Sequence, residues 1–289
     1  MKHGYLIFNP SAGMRAKSRT VVAGVIREFA KHDLDITPSP TEPEGSTVRQ
    51  VQALVRENPD LLVSWGGDGT INEVINGMFG SNIPLGVIPG GTANVFAKEL
   101  GISGLNRAIA VIGKGKTRTI SIGEANKRYF SLMAGIGFDS DVIKNVDWTL
   151  KKTLGKLAFG ISAFNSAVKY DFPKFQVKIG NEKKECVFAV ISNARGYGGV
   201  LELTPEADIS DEYFHVCLFK EAGFNNVLRY AMHALKNSHG KLKDVEILKV
   251  KRCEVIGPES VAVQADGELI GFLPMKFKLH PRALEVFCP

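Results

Sequence analysis

Cysteine is scarce in this chain, and none is placed to act as a ligand. The four residues, Cys186, Cys217, Cys253 and Cys288, are widely spaced, with no C-x-x-C pair and no histidine pattern beside them. That argues against a disulfide framework and a zinc site, and a reducing cytoplasm fits better. No stretch reaches the roughly 18 consecutive apolar residues of a membrane span. The apolar run in the opening MKHGYLIFNPSAG is too short for a signal peptide. Any contact with lipid is therefore expected to be peripheral. There is no internal repeat, low-complexity tract or flexible linker. A Walker A pattern is missing, and so is a G-x-G-x-x-G after a first strand, so the usual P-loop and Rossmann readings fail on residues. The basic excess is mild, 36 Lys and Arg against 30 Asp and Glu for a net charge of +6. It favours acidic partners such as nucleotide phosphates or an anionic membrane surface. With no concentrated basic stripe carrying stacking aromatics, a nucleic-acid partner is not expected.

What is present is ordinary globular material: 289 residues, 44% hydrophobic and 23% charged. That length suits two domains or one large one. The first part alternates strand-like and helix-like segments. Strands are expected at Tyr5 to Phe8, Ile36 to Pro38, Leu61 to Trp65 and Leu85 to Ile88. Helices are expected up to Lys31, over Val48 to Glu57, through Ile71, Val74, Ile75 and Met78 at i, i+3, i+4 and i+7, and in PGGTANVFAKELG with Gly101 as the stop. Such alternation implies a mostly parallel sheet with helices on both faces. Near Thr117 the pattern changes. Strands follow at Arg118 to Ile122, Tyr129 to Met133, Phe175 to Ile179, Cys186 to Ser192, Phe214 to Phe219, Val245 to Cys253, Ser260 to Ala265 and Leu284 to Phe287. Turn signals such as GNEKK lie between them, and helices are expected at Val142 to Lys169 and Asn225 to Asn237. This reads as an antiparallel β-sandwich. The expected division is 1–120 for an α/β domain and 121–289 for the β domain, with the C-terminal tail free to pack back on the first. The two are expected to form a cleft.

The stretch LLVSWGGDGTINEVINGM places Asp68 between glycines where a strand gives way to a helix. Gly66, Gly67 and Gly69 can take positive φ and let a ligand approach the backbone. The N–H groups and dipole of the helix start favour phosphate. Thr70 and Glu73 fit a capping box. Asp68 is then either a structural cap or part of a site for an anionic ligand. Two further turns, NPSAG (Asn9 to Gly13) and PGGTAN (Pro89 to Asn94), also follow expected parallel strands. All three would project from the sheet edge where open α/β sheets bind ligands.

Together, NPSAG, GGDGTINEVINGM and PGGTANVFAKELG resemble the diacylglycerol kinase catalytic family, which includes bacterial lipid kinases, sphingosine kinases and ceramide kinase. The likeness continues through GIGFDSDV, SNARGYGGVLELTPEADISDE and QADGEL, in the expected order over nearly the whole chain. GGDGT also occurs in NAD kinases, so the other motifs carry the specificity. The resemblance implies an ATP-dependent lipid kinase acting on a hydroxyl of diacylglycerol or a related lipid. Asn9, Ser11, Gly13 and Thr41 would line the nucleotide side. Gly66, Gly67, Gly69, Thr70, Asn72 and Thr92 would hold phosphates. Asp68 would hold Mg2+ or act as base, since a bare carboxylate among phosphates needs a cation. Glu268 is the implied proton acceptor, with Asp266 beside it in the cleft or metal shell. Asp-Gly alone would predict a hairpin turn there. Either Asp139 or Asp141 would support the substrate.

The resemblance also implies a structural Mg2+ at ADISDEYF, held by carbonyls of Asp208 and Tyr213 and the carboxylate of Asp211. Glu212 stands where the family usually has glycine, and a required positive φ would be costly there. Lys144, Lys151, Lys152 and Lys156, interleaved with Trp148, Leu150, Leu154, Leu157 and Phe159, fit a basic helix on an anionic membrane or a cap on the β domain. A homodimer is compatible with these features. An NAD kinase and an inactive lipid-binding homologue are the competing readings.

Overall fold

The computed structural model describes residues 1–10, 19–42, 46–144, 169–197 and 201–289. The chain forms two compact units, Met1–Ser121 with Arg282–Pro289, and Ile122–Pro281. The first is α/β with a mostly parallel sheet. The second is an antiparallel β-sandwich.

In unit 1 the elements run β1 (Lys2–Phe8), α1 (Arg19–Ala30), β2 (Leu34–Pro40), α2 (Thr47–Arg56), β3 (Leu61–Gly66), α3 (Asp68–Met78), β4 (Leu85–Pro89), α4 (Val95–Glu99) and α5 (Leu105–Lys114). The sheet order is β2-β1-β3-β4, every pair parallel. All six residues of β3 are buried, as a central parallel strand covered on both faces requires. Ile71, Val74, Ile75 and Met78, one face of α3, are fully buried. Because β1 leads outward to β2 and β3 returns on its other side, the order reverses between β1 and β3. A crevice outside the carboxyl ends of these strands is where such sheets take ligands.

The chain enters unit 2 in β5 (Thr117–Ala125) and returns in β18 (Met275–Phe287). Between them lie β6 (Arg128–Phe130), β7 (Met133–Gly137), α6 (Phe138–Lys144), β8 (Phe175–Ile179), β9 (Glu182–Cys186), β10 (Phe188–Ser192), β11 (Gly196–Tyr197), β12 (Leu201–Glu202), β13 (Phe214–Phe219), α7 (Phe224–Leu235), β14 (Val245–Val250), β15 (Arg252–Ile256), β16 (Ala262–Ala265) and β17 (Glu268–Phe272). One sheet has the order β14-β13-β10-β7-β16-β17, and the other contains β18-β15-β8-β9. Alternate residues of both face a shared core. Ile136, Ile191, Val216 and Val263 come from the first sheet, and Val177, Val255 and Phe277 from the second.

Several strands differ from the sequence expectation. The expected strand at Val245 to Cys253 is two strands in different sheets, β14 and β15, because the chain changes layer at Lys251. Cys186 to Ser192 divides likewise between β9 and β10. GNEKK is only partly a turn. Its charged EKK begins β9, the last strand in its sheet order, where exposed charges suit an edge. The final strand begins at Met275, nine residues before the expected Leu284. The expected helix from Val142 to Lys169 lies largely outside the described residues. All four cysteines are free and buried, and burial raises the thiol pKa of Cys186, Cys217 and Cys253, which disfavours nucleophilic roles. Among the described residues no helix is long and apolar enough to cross a membrane.

Candidate active site

Four strand ends of unit 1 are tied to one another by three bonds at the carboxyl edge of the sheet. Asn9 donates its N–H to the Trp65 carbonyl (3.4 Å), Thr41 to Phe8 (2.8 Å) and Gly90 to Gly66 (2.8 Å). Asn9, Thr41, Gly66, Gly67, Asp68 and the turn from Gly90 to Asn94 therefore share that edge. Ser11 and Gly13 lie outside the described residues. Thr92 is exposed on its turn.

The positive φ read in the sequence for these glycines does not arise. None of Gly66, Gly67 and Gly69 takes a positive φ, and Gly67 is extended at φ −86°. Close approach is what requires Gly66 and Gly91. A Cβ on Gly91 would lie 2.6 Å from Gly67 Cα, and one on Gly66 would lie 2.5 Å from Thr70 Cβ. Two glycine turns thus pack backbone against backbone. The capping box also fails, because α3 begins at Asp68, two residues before Thr70, with Gly67 as its cap residue. Thr70 is tucked beneath Gly66. Asn72 is 2% exposed and accepts hydrogen bonds from Asn76 Nδ2 at its carbonyl and its Oδ1, so it points into the fold rather than out at the edge.

Asp68 is fixed by the next turn. Its Oδ1 accepts the N–H of Phe96 (3.0 Å), capping α4 from outside that helix. This works because Asn94 takes left-handed φ of 49° and its side chain bonds both ways with the backbone of Gly91 (2.8 Å each). Asn94 was not singled out by sequence reasoning. Its only signal was an asparagine just before a helical run. With Oδ1 engaged, the other oxygen of Asp68, at the mouth of α3, accepts no hydrogen bond among the described residues. A half-exposed, half-anchored carboxylate beside a helix N-terminus can hold a cation that accompanies phosphates.

In unit 2 the Asp-Gly pair does form a hairpin turn. Asp266 and Gly267 both take positive φ, 48° and 87°, between β16 and β17. The Asp266 carboxylate accepts the N–H groups of Ser131 (2.7 Å), Leu132 (2.9 Å) and Met133 (3.0 Å) and the Ser131 hydroxyl (3.0 Å). Those bonds replace ladder bonds and divide the expected strand Tyr129 to Met133 into β6 and β7. These four bonds make Asp266 a clamp for the turn. Asp266→Ala is expected to lower stability by about 3 kcal/mol, because three N–H groups lose their acceptor. A urea titration checks this, with a reduced midpoint at unchanged m expected. Glu268, the first residue after the turn, is exposed and pairs with Arg128 Nη2 at 2.7 Å. Arg128 was missed in the sequence because it lies 140 residues away.

Asp139 is 5% exposed and accepts hydrogen bonds from Gln264 Nε2 (2.5 Å) and the Tyr197 hydroxyl. Burial raises its pKa, while the Tyr197 and Gln264 bonds pull the other way. Tyr197 is raised well above the ordinary phenol range by burial and by the neighbouring Asp139. Three motifs that are distant in sequence, GIGFDSDV, SNARGYGG and QADGEL, meet at this one carboxylate. The room for it comes from Gly135, where a Cβ would lie 1.7 Å from Asp139 Oδ2. Asp141 is half-buried in the first turn of α6.

The turn at 208–213 closes through its own bonds. Asp211 N–H reaches the Asp208 carbonyl (2.8 Å), Asp208 N–H reaches Asp211 Oδ2 (3.0 Å), and Ser210 N–H reaches Asp208 Oδ1 (2.9 Å). The buried His215 places Nε2 3.0 Å from the same Asp211 Oδ2. Glu212 does not adopt positive φ, so the strain expected there is absent. Asp211 with the carbonyls of Asp208 and Tyr213 is a hard-oxygen set that suits Mg2+ in kind. The hydrogen bonds already close the turn without an ion. The expected basic helix lies outside the described residues except for Lys144. A cavity of about 390 Å3 in unit 1 is lined by Lys2, Asp33, Asp60, Lys114 and Glu285. It contains none of the candidate residues.

Residues 3–125 match the family described as diacylglycerol kinase catalytic domain, and residues 133–288 match the YegS C-terminal NAD kinase beta sandwich-like domain. A protein named diacylglycerol kinase from Bacillus subtilis is 30% identical, over 100% of this chain and 97% of its own length. One of the same name from Staphylococcus saprophyticus is 29% identical, over 100% and 96%. A crystal structure described as a diacylglycerol kinase from Bacillus anthracis superposes with a TM-score of 0.83 at 23% identity, covering 100% of this chain and 97% of that one. At that identity the superposition bears on the fold alone.

Proposed function

This chain belongs to the diacylglycerol kinase family, and from that premise we propose that it transfers the γ-phosphoryl group of ATP to a hydroxyl of diacylglycerol or a related lipid. The observation that carries the reading is Asp68, with one oxygen anchored by Phe96 and the other open at the helix mouth. The backbone of Gly67 and Gly69, with Thr92, would hold phosphates, and Asn9 and Thr41 would line the nucleotide. Thr70 and Asn72 support the turn from beneath. Ser11 and Gly13 keep the nucleotide role that the resemblance implies.

Mg2+ bound with the nucleotide would neutralise polyphosphate charge, and Asp68 is the residue to hold it. In the transfer, the lipid hydroxyl oxygen bonds to the γ-phosphorus as the bond from phosphorus to the bridging oxygen breaks. ADP leaves, and the hydroxyl proton passes to the Glu268 carboxylate. Arg128 orients that carboxylate, and Asp266 positions it by holding the hairpin. Asp139 supports the substrate region from inside the fold, with Asp141 nearer the surface. Asp211 and the carbonyls of Asp208 and Tyr213 would bind a second Mg2+ that fastens their turn. The protein works at the surface of a membrane, from the cytoplasm.

Glu268→Gln tests the assignment. It keeps the shape of the exposed side chain, so stability should stay within about 0.5 kcal/mol. Turnover on diacylglycerol in mixed micelles is expected to fall about a hundredfold or more, with ATP affinity unchanged. Full turnover in this variant would remove Glu268 from proton transfer.

A further inference from the structure

Helix α7 has two apolar faces, and only one is buried. Tyr230 and Ala234 point into the β domain. Leu228, Met232 and Leu235, spaced i, i+4 and i+7, form a stripe on the other side and are 49%, 50% and 65% exposed. No other described helix presents three large apolar side chains to solvent. Scattered exposed leucines need no explanation, but a continuous stripe on one helix face does.

The charge around the stripe indicates what covers it. From Ala222 to Lys243 there is no acidic residue, while Arg229, Lys236, Lys241 and Lys243 are basic. Lys236, Lys241 and Lys243 are exposed and their ammonium groups have no ion-pair partner among the described residues. Arg229 is paired with Asp244, and Glu202 accepts from Asn237 at 3.3 Å. An apolar helix face followed in the chain by exposed lysines, Lys236 directly after it and Lys241 and Lys243 in the next turn, matches the boundary between the headgroups and acyl chains of an anionic bilayer. A protein partner would need carboxylates to meet the lysines and an apolar surface to meet the stripe. An anionic lipid leaflet provides both.

We propose that the exposed face of α7 docks on an anionic lipid surface, with Leu228, Met232 and Leu235 entering the acyl boundary and Lys236, Lys241 and Lys243 meeting the headgroups. This rests on the lipid-kinase reading only in that such an enzyme must reach a membrane-resident substrate.

The test uses the full chain and sedimentation with phosphatidylcholine vesicles, with and without phosphatidylglycerol, in the absence of ATP and diacylglycerol. Wild type is expected to bind the mixed vesicles and to bind pure phosphatidylcholine at least tenfold more weakly. The variant L228Q/M232Q/L235Q should lose binding by about tenfold or more. The variant K236E/K241E/K243E should lose at least as much, since each lysine near an anionic surface contributes a factor of roughly five. Both variants change exposed positions, and the second keeps the test open should the first not fold. Absent binding by wild type, or binding within twofold of wild type in the folded variants, overturns the proposal. So does a stripe variant that turns a dimer into a monomer by light scattering while vesicle binding persists, which assigns the stripe to a second copy. Phosphorylation of a dispersed short-chain diacylglycerol is read separately. If it fails while vesicle binding follows the variants, the kinase reading falls and this surface stands. If it succeeds while vesicle binding ignores them, only this inference falls.

Discussion

Asp68→Asn is expected to reduce phosphoryl transfer about a thousandfold and to leave the fold nearly unchanged. The substitution separates two roles of one side chain. An amide oxygen can still accept the Phe96 N–H as Asp68 Oδ1 does at 3.0 Å, and asparagine caps helices about as well as aspartate. What it removes is the negative charge on the open oxygen. Asp68→Ala should lose the transfer as well and cost about 1 kcal/mol more in stability, because the cap on α4 goes with it. Turnover and urea midpoints measured on both variants distinguish the roles. Near-normal turnover in Asp68→Asn would leave Asp68 as a structural cap only, and the transfer would need another group to hold the metal.

Gly135→Ala should be the most destabilising single methyl in unit 2. Its Cβ would lie 1.7 Å from Asp139 Oδ2 and 2.7 Å from Gln264 Nε2. Neither neighbour can swing into solvent, since both residues are buried. Relief means pushing the carboxylate away from Tyr197 and Gln264 and leaving their donors unpaired in the interior. We expect a loss of about 4 kcal/mol or more, combining overpacking with unsatisfied polar groups. The urea midpoint should drop at constant m. Adding Asp139→Ala to the Gly135→Ala chain should recover part of the loss, which a double-mutant cycle measures. A Gly135→Ala protein as stable as wild type would mean that Asp139 does not point into that space.

The parallel sheet was legible because local periodicity and burial agree. Leu61 to Trp65 is a short apolar run with a helical period following it, and both elements form where the pattern puts them. The three turns could be placed on one edge because parallel strands leave no other choice. What the sequence could not show depends on long-range contacts. Asp266 reaches back to Ser131, Leu132 and Met133, and nothing near Tyr129 announces the strand break it makes. The sheet change at Lys251 and the early start of β18 are set by which layer has room, and neither leaves a local mark. The glycines of GGDGT and PGGTAN were visible, but the reason for them was not. Positive φ can be guessed from one turn, whereas Gly91 against Gly67 requires knowing that two turns touch. The same limit hid Asn94 and Arg128, each of which matters through a partner in another segment. At Glu212 the expected strain did not arise, because the turn closes through Asp208 and Asp211 with ordinary backbone angles.

The most direct measurement is transfer of label from γ-labelled ATP by the purified chain with Mg2+, offered diacylglycerol in mixed micelles and, separately, NAD. The account predicts labelled phosphatidic acid, no labelled dinucleotide, and loss of the lipid signal in Asp68→Asn. Label in NAD with none in any lipid would contradict it.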